Sequence, residues 1–208
     1  MKKYLKKKRF YVILVCLFFF LLITILVLKK GVLDIDKNSY NFIKENIIND
    51  DLTEYIKILT NLGGAIILIF ISVLIALFIK DIRISMAIVI NLILVVVLNQ
   101  ITKFLFQRSR PLESNWLVSE IGYSFPSGHS SVSMAFYGFL IYLVCMNFKN
   151  KKLKYFLTIL LSLIILFVGI SRVYLGVHYL SDVLAGFLFS IVYLIVFVYF
   201  YQRIMKKV

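Results

Sequence analysis

An all-α bundle of six transmembrane helices, with both termini on the cytoplasmic side, is the fold class this sequence predicts. Three observations predict it. The 208 residues are 62% hydrophobic and only 16% charged, too apolar for an ordinary soluble domain. Charge-free runs recur at residues 10–28, 58–79, 84–102, 121–148, 155–171 and 183–202. Each is about 17 to 28 residues long, against the roughly 20 that cross the hydrocarbon core as a helix. The third observation is how the net charge of +14 is distributed. With the N-terminus inside and six crossings, the inner segments hold Lys2, Lys3, Lys6, Lys7, Lys8, Arg9, Lys80, Arg83, Lys149, Lys151, Lys152, Lys154, Arg203, Lys206 and Lys207 against one acid, Asp81. The outer segments hold nine basic and nine acidic residues, which cancel. This is the positive-inside pattern. The basic excess therefore reports topology and contact with anionic lipid. Without a basic groove interleaved with aromatics, a nucleic-acid partner is not expected.

The chain reads as one integral-membrane domain, residues 1–208, with spans at about 10–28, 60–79, 84–102, 128–147, 155–171 and 180–201. The first span follows a basic stretch, as a signal peptide does. No small-residue cleavage site follows Leu28, so an uncleaved helix is expected. Residues 29–57 form a longer, polar outer segment. Its Tyr40, Ile43, Ile47 and Ile48, then Leu52, Tyr55, Ile56 and Leu59, fall at helical spacing. One or two short amphipathic helices are predicted there, lying on the outer membrane surface and either packed on the bundle or covering a substrate. The only prolines, Pro111 and Pro126, force their preceding residues out of helical geometry, so the second outer segment, 103–127, is expected to be irregular. Its Trp116 has the place of an interfacial aromatic. Cys16 and Cys145 fall in apolar runs and read as small fillers. Asn91, Asn99 and Gln100 read as helix–helix hydrogen-bonding groups, and Gly63, Gly64, Gly169 and Gly186 as points of close helix approach.

Three polar clusters fall at the outer face: Lys103 with Arg110-Pro111, Ser127-Gly128-His129, and Arg172 with His178 and Asp182. Lys103, Arg108, Arg110 and Arg172 break the positive-inside pattern there, and ionisable groups near membrane depth tend to be functional. Guanidinium and ammonium groups match phosphate oxygens through charge-assisted hydrogen bonds. Ser127 and Gly128 at a helix N-terminus offer free backbone N–H groups to the same anion. The two histidines are the only ones in the chain. Asp182, four residues after His178, can accept from one imidazole nitrogen and leave the other free to attack phosphorus. His129 can protonate the leaving group and then activate water. No metal and no cofactor is expected, because Asp182 is the only acid in these clusters.

These residues resemble the type 2 phosphatidic acid phosphatase superfamily. Its three-part signature fits Lys103 to Arg110-Pro111, then Pro126-Ser127-Gly128-His129, then Ser171-Arg172, His178 and Asp182, in order and without a substitution. The resemblance implies that His178 is the nucleophile, Asp182 its partner and His129 the general acid. It implies that Lys103, Arg110, Ser127, Gly128 and Arg172 cradle the phosphate. Arg108 and Glu113 lie outside the signature and are left as headgroup contacts. The implied enzyme is a small bacterial cytoplasmic-membrane phosphatase with an outward-facing site. Its expected partners are the bilayer and a lipid substrate: phosphatidylglycerol phosphate, phosphatidate or undecaprenyl diphosphate. No obligate protein partner is implied. Transfer of the phosphoryl group to another lipid uses the same intermediate and stays open. A lipid transporter calls for ionisable pairs or broken helices near the midplane, which the spans do not carry. The haloperoxidases of this superfamily are soluble, which the six runs count against.

Overall fold

The structure, a computed structural model, describes residues 2–79 and 81–206, with side chains for 7–79 and 81–205. Of the inner basic residues, Lys80 and Lys207 lie outside the described residues, as do the side chains of Lys2, Lys3, Lys6 and Lys206. Eight α-helices follow in order: α1 Lys2–Lys30, α2 Asp34–Asn46, α3 Asp50–Thr60, α4 Ala65–Phe78, α5 Ile82–Phe106, α6 Gly128–Asn147, α7 Lys151–Tyr174 and α8 Leu180–Lys206. Among the described residues no strand occurs. Lys7–Lys30 of α1, together with α5, α6, α7 and α8, are long and apolar enough to cross a membrane.

The second span differs from its predicted limits of 60–79. Residues Asn61–Gly63 form a 3-10 turn, and α4 begins only at Ala65. A helix of 14 residues rises about 21 Å, short of a hydrocarbon core of about 30 Å. A sixth crossing exists only if Asp50–Gly63 and Ala65–Phe78, which meet at a bend of 54°, count as one broken span. The break has a packing cause. A Cβ on Gly63 would run into Val168 Cγ1 and would lie 2.7 Å from Ser133 Oγ, so the backbone itself packs against α6 and α7. Gly169 and Gly186 likewise meet neighbouring helices closely. Gly64 instead caps α4.

Polar residues set the other helix ends. Asp81 accepts from Arg83 N to open α5, Ser127 from Ser130 N to open α6, and Asn150 from Leu153 N to open α7. Gln107 takes the left-handed conformation that closes α5. Helix α6 packs against α5, α7 and α8, and α1 lies along α8. The largest buried cluster, including Ile88, Val95, Phe136, Phe139, Ile165 and Val198, fills the centre of α5–α8. Apolar side chains also cover the outside, as bilayer contact requires: Ile66, Phe78 and Phe104 are more than 70% exposed.

The helices sort the charges to two ends. Arg9 donates to Gln202, whose amide donates to Tyr142 OH, so both chain ends meet near the α6–α7 turn. The opposite end carries the turn after α1, the loop 107–127 and the turn 175–179. The predicted amphipathic segment forms α2 and α3, which pack on that end: Ile43, Ile48, Leu52 and Ile56 meet Tyr174, Leu175 and Val177. Trp116 joins this cluster and donates to Pro111 O at 3.0 Å, so it packs inward rather than anchoring at the bilayer surface.

Candidate active site

The end of α5, the start of α6, the break before α4 at Gly63 and Ala65, loop 107–127 and His178 in the turn after α7 surround a cavity of about 510 Å³. His129, His178, Lys103, Arg110 and Gly128 line it. Lys103 and His178, 75 positions apart in sequence, are thus brought to one cavity. A Cβ on Gly128 would lie 3.4 Å from Asn99 Oδ1 and 3.8 Å from Lys103 Cε, so glycine keeps this wall thin.

His178 is 3% exposed. Its Nδ1 lies 3.2 Å from Ser124 Oγ and 3.5 Å from Asp182 Oδ2, the second distance beyond an ordinary N–H···O bond. Ser124 in turn donates to Asp182 Oδ2 at 2.5 Å. The pattern is satisfied when Nδ1–H donates to Ser124 and Ser124 donates to the carboxylate. The Ser124 hydroxyl thus bridges Asp182 Oδ2 to the ring, beside the longer direct approach of 3.5 Å. Nε2 then carries the lone pair, and Arg110 NH1 sits 3.1 Å from it. Burial pushes the His178 imidazole down to about 3, against the pull of Asp182, so the ring is neutral at neutral pH.

Of the three predicted phosphate-binding cations, Lys103 and Arg110 line the cavity and Arg172 does not. Lys103 Nζ donates to Tyr123 O. Arg110 donates to Gly122 O at 2.9 Å, Val177 O at 3.0 Å and Ile121 O at 3.0 Å. Arg172 is 1% exposed, bonds to Thr60 Oγ1 and pairs with Glu120; its Nε is buried without a partner. Glu120 also lies 3.6 Å from Arg110, so one carboxylate stands between two guanidinium groups. Burial lowers Arg110 from its ordinary value, with Glu120 and Asp182 opposing it.

Ser127 is fully buried; its Oγ caps α6 and accepts from Ser130 Oγ at 2.9 Å, so the wall of the cavity is its neighbour Gly128. Ser127 N in turn donates to Asp182 O at 3.0 Å, tying the two motifs together. Arg108 is buried with every donor occupied, and Glu113 is exposed away from the cavity; neither is placed as a headgroup contact. Asn99 bonds Ser131 Oγ at 3.1 Å and lines the cavity. The buried Asn91 amide has no hydrogen-bond partner.

Sequence reasoning missed Glu120, Ser124 and Asp36. Glu120 had a signal, an acid in an outer loop rich in cations. Ser124 and the buried Asp36, which pairs with Arg108, had none. Among the described residues no three His, Cys, Asp or Glu side chains are grouped to hold a metal ion.

The PAP2 superfamily profile matches residues 84–206, more than half of the chain and all three clusters. Phosphatidylglycerophosphatase B of Bacillus subtilis (strain 168) is 43% identical over 94 residues, 43% of this chain and 44% of that protein, so the match spans less than half of the relative's length. The crystal structure of a transmembrane PAP2-type phosphatidylglycerolphosphate phosphatase from Bacillus subtilis superposes with a TM-score of 0.82 and 27% identity, covering 93% of this chain and 98% of that one. LpxE of Aquifex aeolicus shares the fold, with a TM-score of 0.65 at 23% identity over 80% of this chain and 96% of that one.

Proposed function

The chain belongs to the PAP2 superfamily, and from that membership we propose that it is a membrane lipid phosphatase that needs no metal. It removes a terminal phosphate from a lipid phosphate through a phosphohistidine. One observation carries the lipid reading: the cavity is lined by apolar side chains as well as by cations and histidines. Val96, Phe104 and Val132 line it together with the two histidines, and Phe104 is 72% exposed. A headgroup phosphate can enter while its lipid remains at the membrane.

The phosphate takes donors from Lys103, Arg110 and Arg172, displacing Glu120. As Arg110 turns to the anion, it uncovers Nε2 of His178. Nε2 attacks phosphorus and the phosphorus–oxygen ester bond breaks. His129 gives its proton to the departing lipid oxygen. The Nδ1–H bond to Ser124 and Asp182 balances the positive charge that the ring gains. Water then attacks the phosphohistidine, His129 takes a proton from it, the phosphorus–nitrogen bond breaks, and phosphate leaves. The three cations hold the charge of the transferring group, the role a metal fills elsewhere.

Phosphatidylglycerol phosphate is the substrate we put first, since the names of two relatives carry it. Phosphatidate and undecaprenyl diphosphate present the same terminal group. We place the protein in the bacterial cytoplasmic membrane with both termini inside and the site outward, on the strength of the charge distribution. The test is phosphate release by the purified protein from these three lipids with chelator present. Release by the wild type and its loss in His178→Ala are the expected results. Full activity of that variant, or strict dependence on added divalent metal, sinks the mechanism.

A further inference from the structure

Behind Asp182, away from the cavity, lies a second charged cluster that the phosphatase reading does not use. Arg108 stands in the variable interval of the first motif, and Asp36 in α2 precedes the superfamily match altogether. Arg108 is 7% exposed and Asp36 1%. Neither lines the cavity.

The guanidinium has five N–H groups, and all five are used. Nε donates to Gly31 O at 3.1 Å, and one amino group donates to Gly31 O at 2.7 Å and Asp36 Oδ2 at 2.9 Å. The other donates to Ser181 Oγ at 2.8 Å and Asp182 Oδ1 at 2.5 Å. The Tyr179 ring lies 4.2 Å from the guanidinium carbon. Arg108 therefore has no donor left for a substrate. Asp36 is equally committed: it accepts from Ser181 N at 2.8 Å, Ser181 Oγ at 2.9 Å, Leu33 N at 3.1 Å and Arg108. It thereby caps the first turn of α8, the turn that carries Asp182.

Each oxygen of Asp182 consequently has its own duty. Oδ1 faces Arg108, and Oδ2 faces Ser124 and the backbone N–H of Tyr179. A fully buried carboxylate with one oxygen unpaired would favour its protonated form. A protonated Asp182 cannot balance the charge that His178 gains. Resting on the phosphatase reading, we propose that Arg108 and Asp36 are positioning residues for phosphoryl transfer. They keep Asp182 ionised and hold its second oxygen on Ser124 and His178. The chain runs from Asp36 through Arg108, Asp182 and Ser124 to His178, and it makes the α1–α2 elbow part of the active site.

The experiment uses the full chain in detergent micelles with phosphatidylglycerol phosphate as the probe. Rates are measured from acid to alkaline pH for wild type, Arg108→Met, Arg108→Lys and Asp36→Asn. The groups facing Asp182 are His178, Arg108 and Ser124, with Asp36 and Tyr179 behind Arg108 and with Lys103 and Arg110 around the His178 ring. In Arg108→Met, kcat should fall about tenfold or more with KM little changed, because the misplaced groups act only in the transition state. The acid limb of kcat should rise by about one pH unit or more, since an opposite charge at contact lowers a carboxylate by that much. Arg108→Lys should return the limb towards its wild-type position while restoring kcat only in part. Asp36→Asn should move both in the direction of Arg108→Met. The shape of the profile does not depend on how much protein is folded. A uniformly scaled profile, or an unchanged kcat, in both Arg108→Met and Asp36→Asn overturns the proposal; if Arg108→Met does not fold, Asp36→Asn and Arg108→Lys decide it alone. No release by the wild type overturns the phosphatase reading and the proposal with it, whereas wild-type release with indifferent variants overturns the proposal alone.

Discussion

Ser124→Ala asks how Asp182 reaches His178. The two are 3.5 Å apart, and the hydroxyl stands 3.2 Å from the ring and 2.5 Å from the carboxylate. Removing it takes away one hydrogen bond to a charged acceptor, worth about 1.5–3 kcal/mol, and one to a neutral ring, worth about 1 kcal/mol. Only the part that strengthens as the imidazole becomes positive affects kcat. If about half of the charge-assisted bond is of that kind, the barrier rises by about 1–1.5 kcal/mol, close to a tenfold loss in kcat. KM should stay near the wild-type value, because Ser124 does not line the cavity. Ser124→Thr keeps the hydroxyl and should retain most of the rate. Asp182→Asn should cost far more, about 10⁴-fold if the Ser-His-Asp precedent holds. The assay is steady-state phosphate release from detergent-dispersed lipid phosphate. A wild-type kcat in Ser124→Ala would show that the carboxylate contacts the ring directly, and the bridge would be refuted.

Three further outcomes are expected. Burial holds His178 at about 3 against an ordinary 6.5, so as pH falls through 6.5 the unfolded chain takes a proton that the native ring refuses. Stability is thus lost across that window, by about 2 kcal/mol at pH 5. The melting temperature of His178→Gln should therefore fall less than that of the wild type between pH 7 and 5, and parallel curves would contradict this. Gly176 has φ +70° and a Cβ there would strike the Asn115 carbonyl, whereas Gly122 at φ +77° faces open space. Thermal unfolding should show Gly176→Ala losing clearly more than the about 1–2 kcal/mol that the left-handed dihedral alone costs in Gly122→Ala; equal losses would count against a steric clash. Glu120→Gln removes the charge that stands between Arg172 and Arg110, so inorganic phosphate should inhibit it several-fold more tightly. An unchanged inhibition constant would show that Glu120 does not compete for the anion position.

The membrane helices were legible because an uncharged run long enough to cross a bilayer is costly to place elsewhere. The exception is instructive. Hydropathy runs unbroken through Gly63-Gly64, yet the helix breaks there because Gly63 packs against Val168 and Ser133, residues that periodicity cannot bring near it. The cavity residues were legible for a related reason. Charged groups at membrane depth are rare, so Lys103, Arg110, Arg172 and the two histidines stand out. The residues that hold them do not. Ser124 meets Asp182 across 58 positions, Thr60 meets Arg172 across 112 and Asp36 meets Ser181 across 145. Serine, threonine and an aspartate in a polar outer helix are ordinary in composition, and only the fold gives them partners.

On the phosphatase reading, the charges at this end also bear on which anion the cavity prefers. Four cations, Lys103, Arg108, Arg110 and Arg172, lie at this end, and three carboxylates, Asp36, Glu120 and Asp182, stand among them. Arg108 is committed to Asp36 and Asp182, which leaves Lys103 and Arg110 at the cavity, with Glu120 between Arg110 and the buried Arg172. Glu120 is the one carboxylate of the three that reaches the cavity. A guest with a single carboxylate would replace Glu120 charge for charge, with no net gain. A phosphate dianion brings a second charge and further acceptor oxygens to donors that Glu120 cannot satisfy together; one of them, Arg172 Nε, is buried without a partner. Selectivity for phosphate over carboxylate then follows from what the anion must displace, and Glu120→Gln should weaken that selectivity even as it tightens binding.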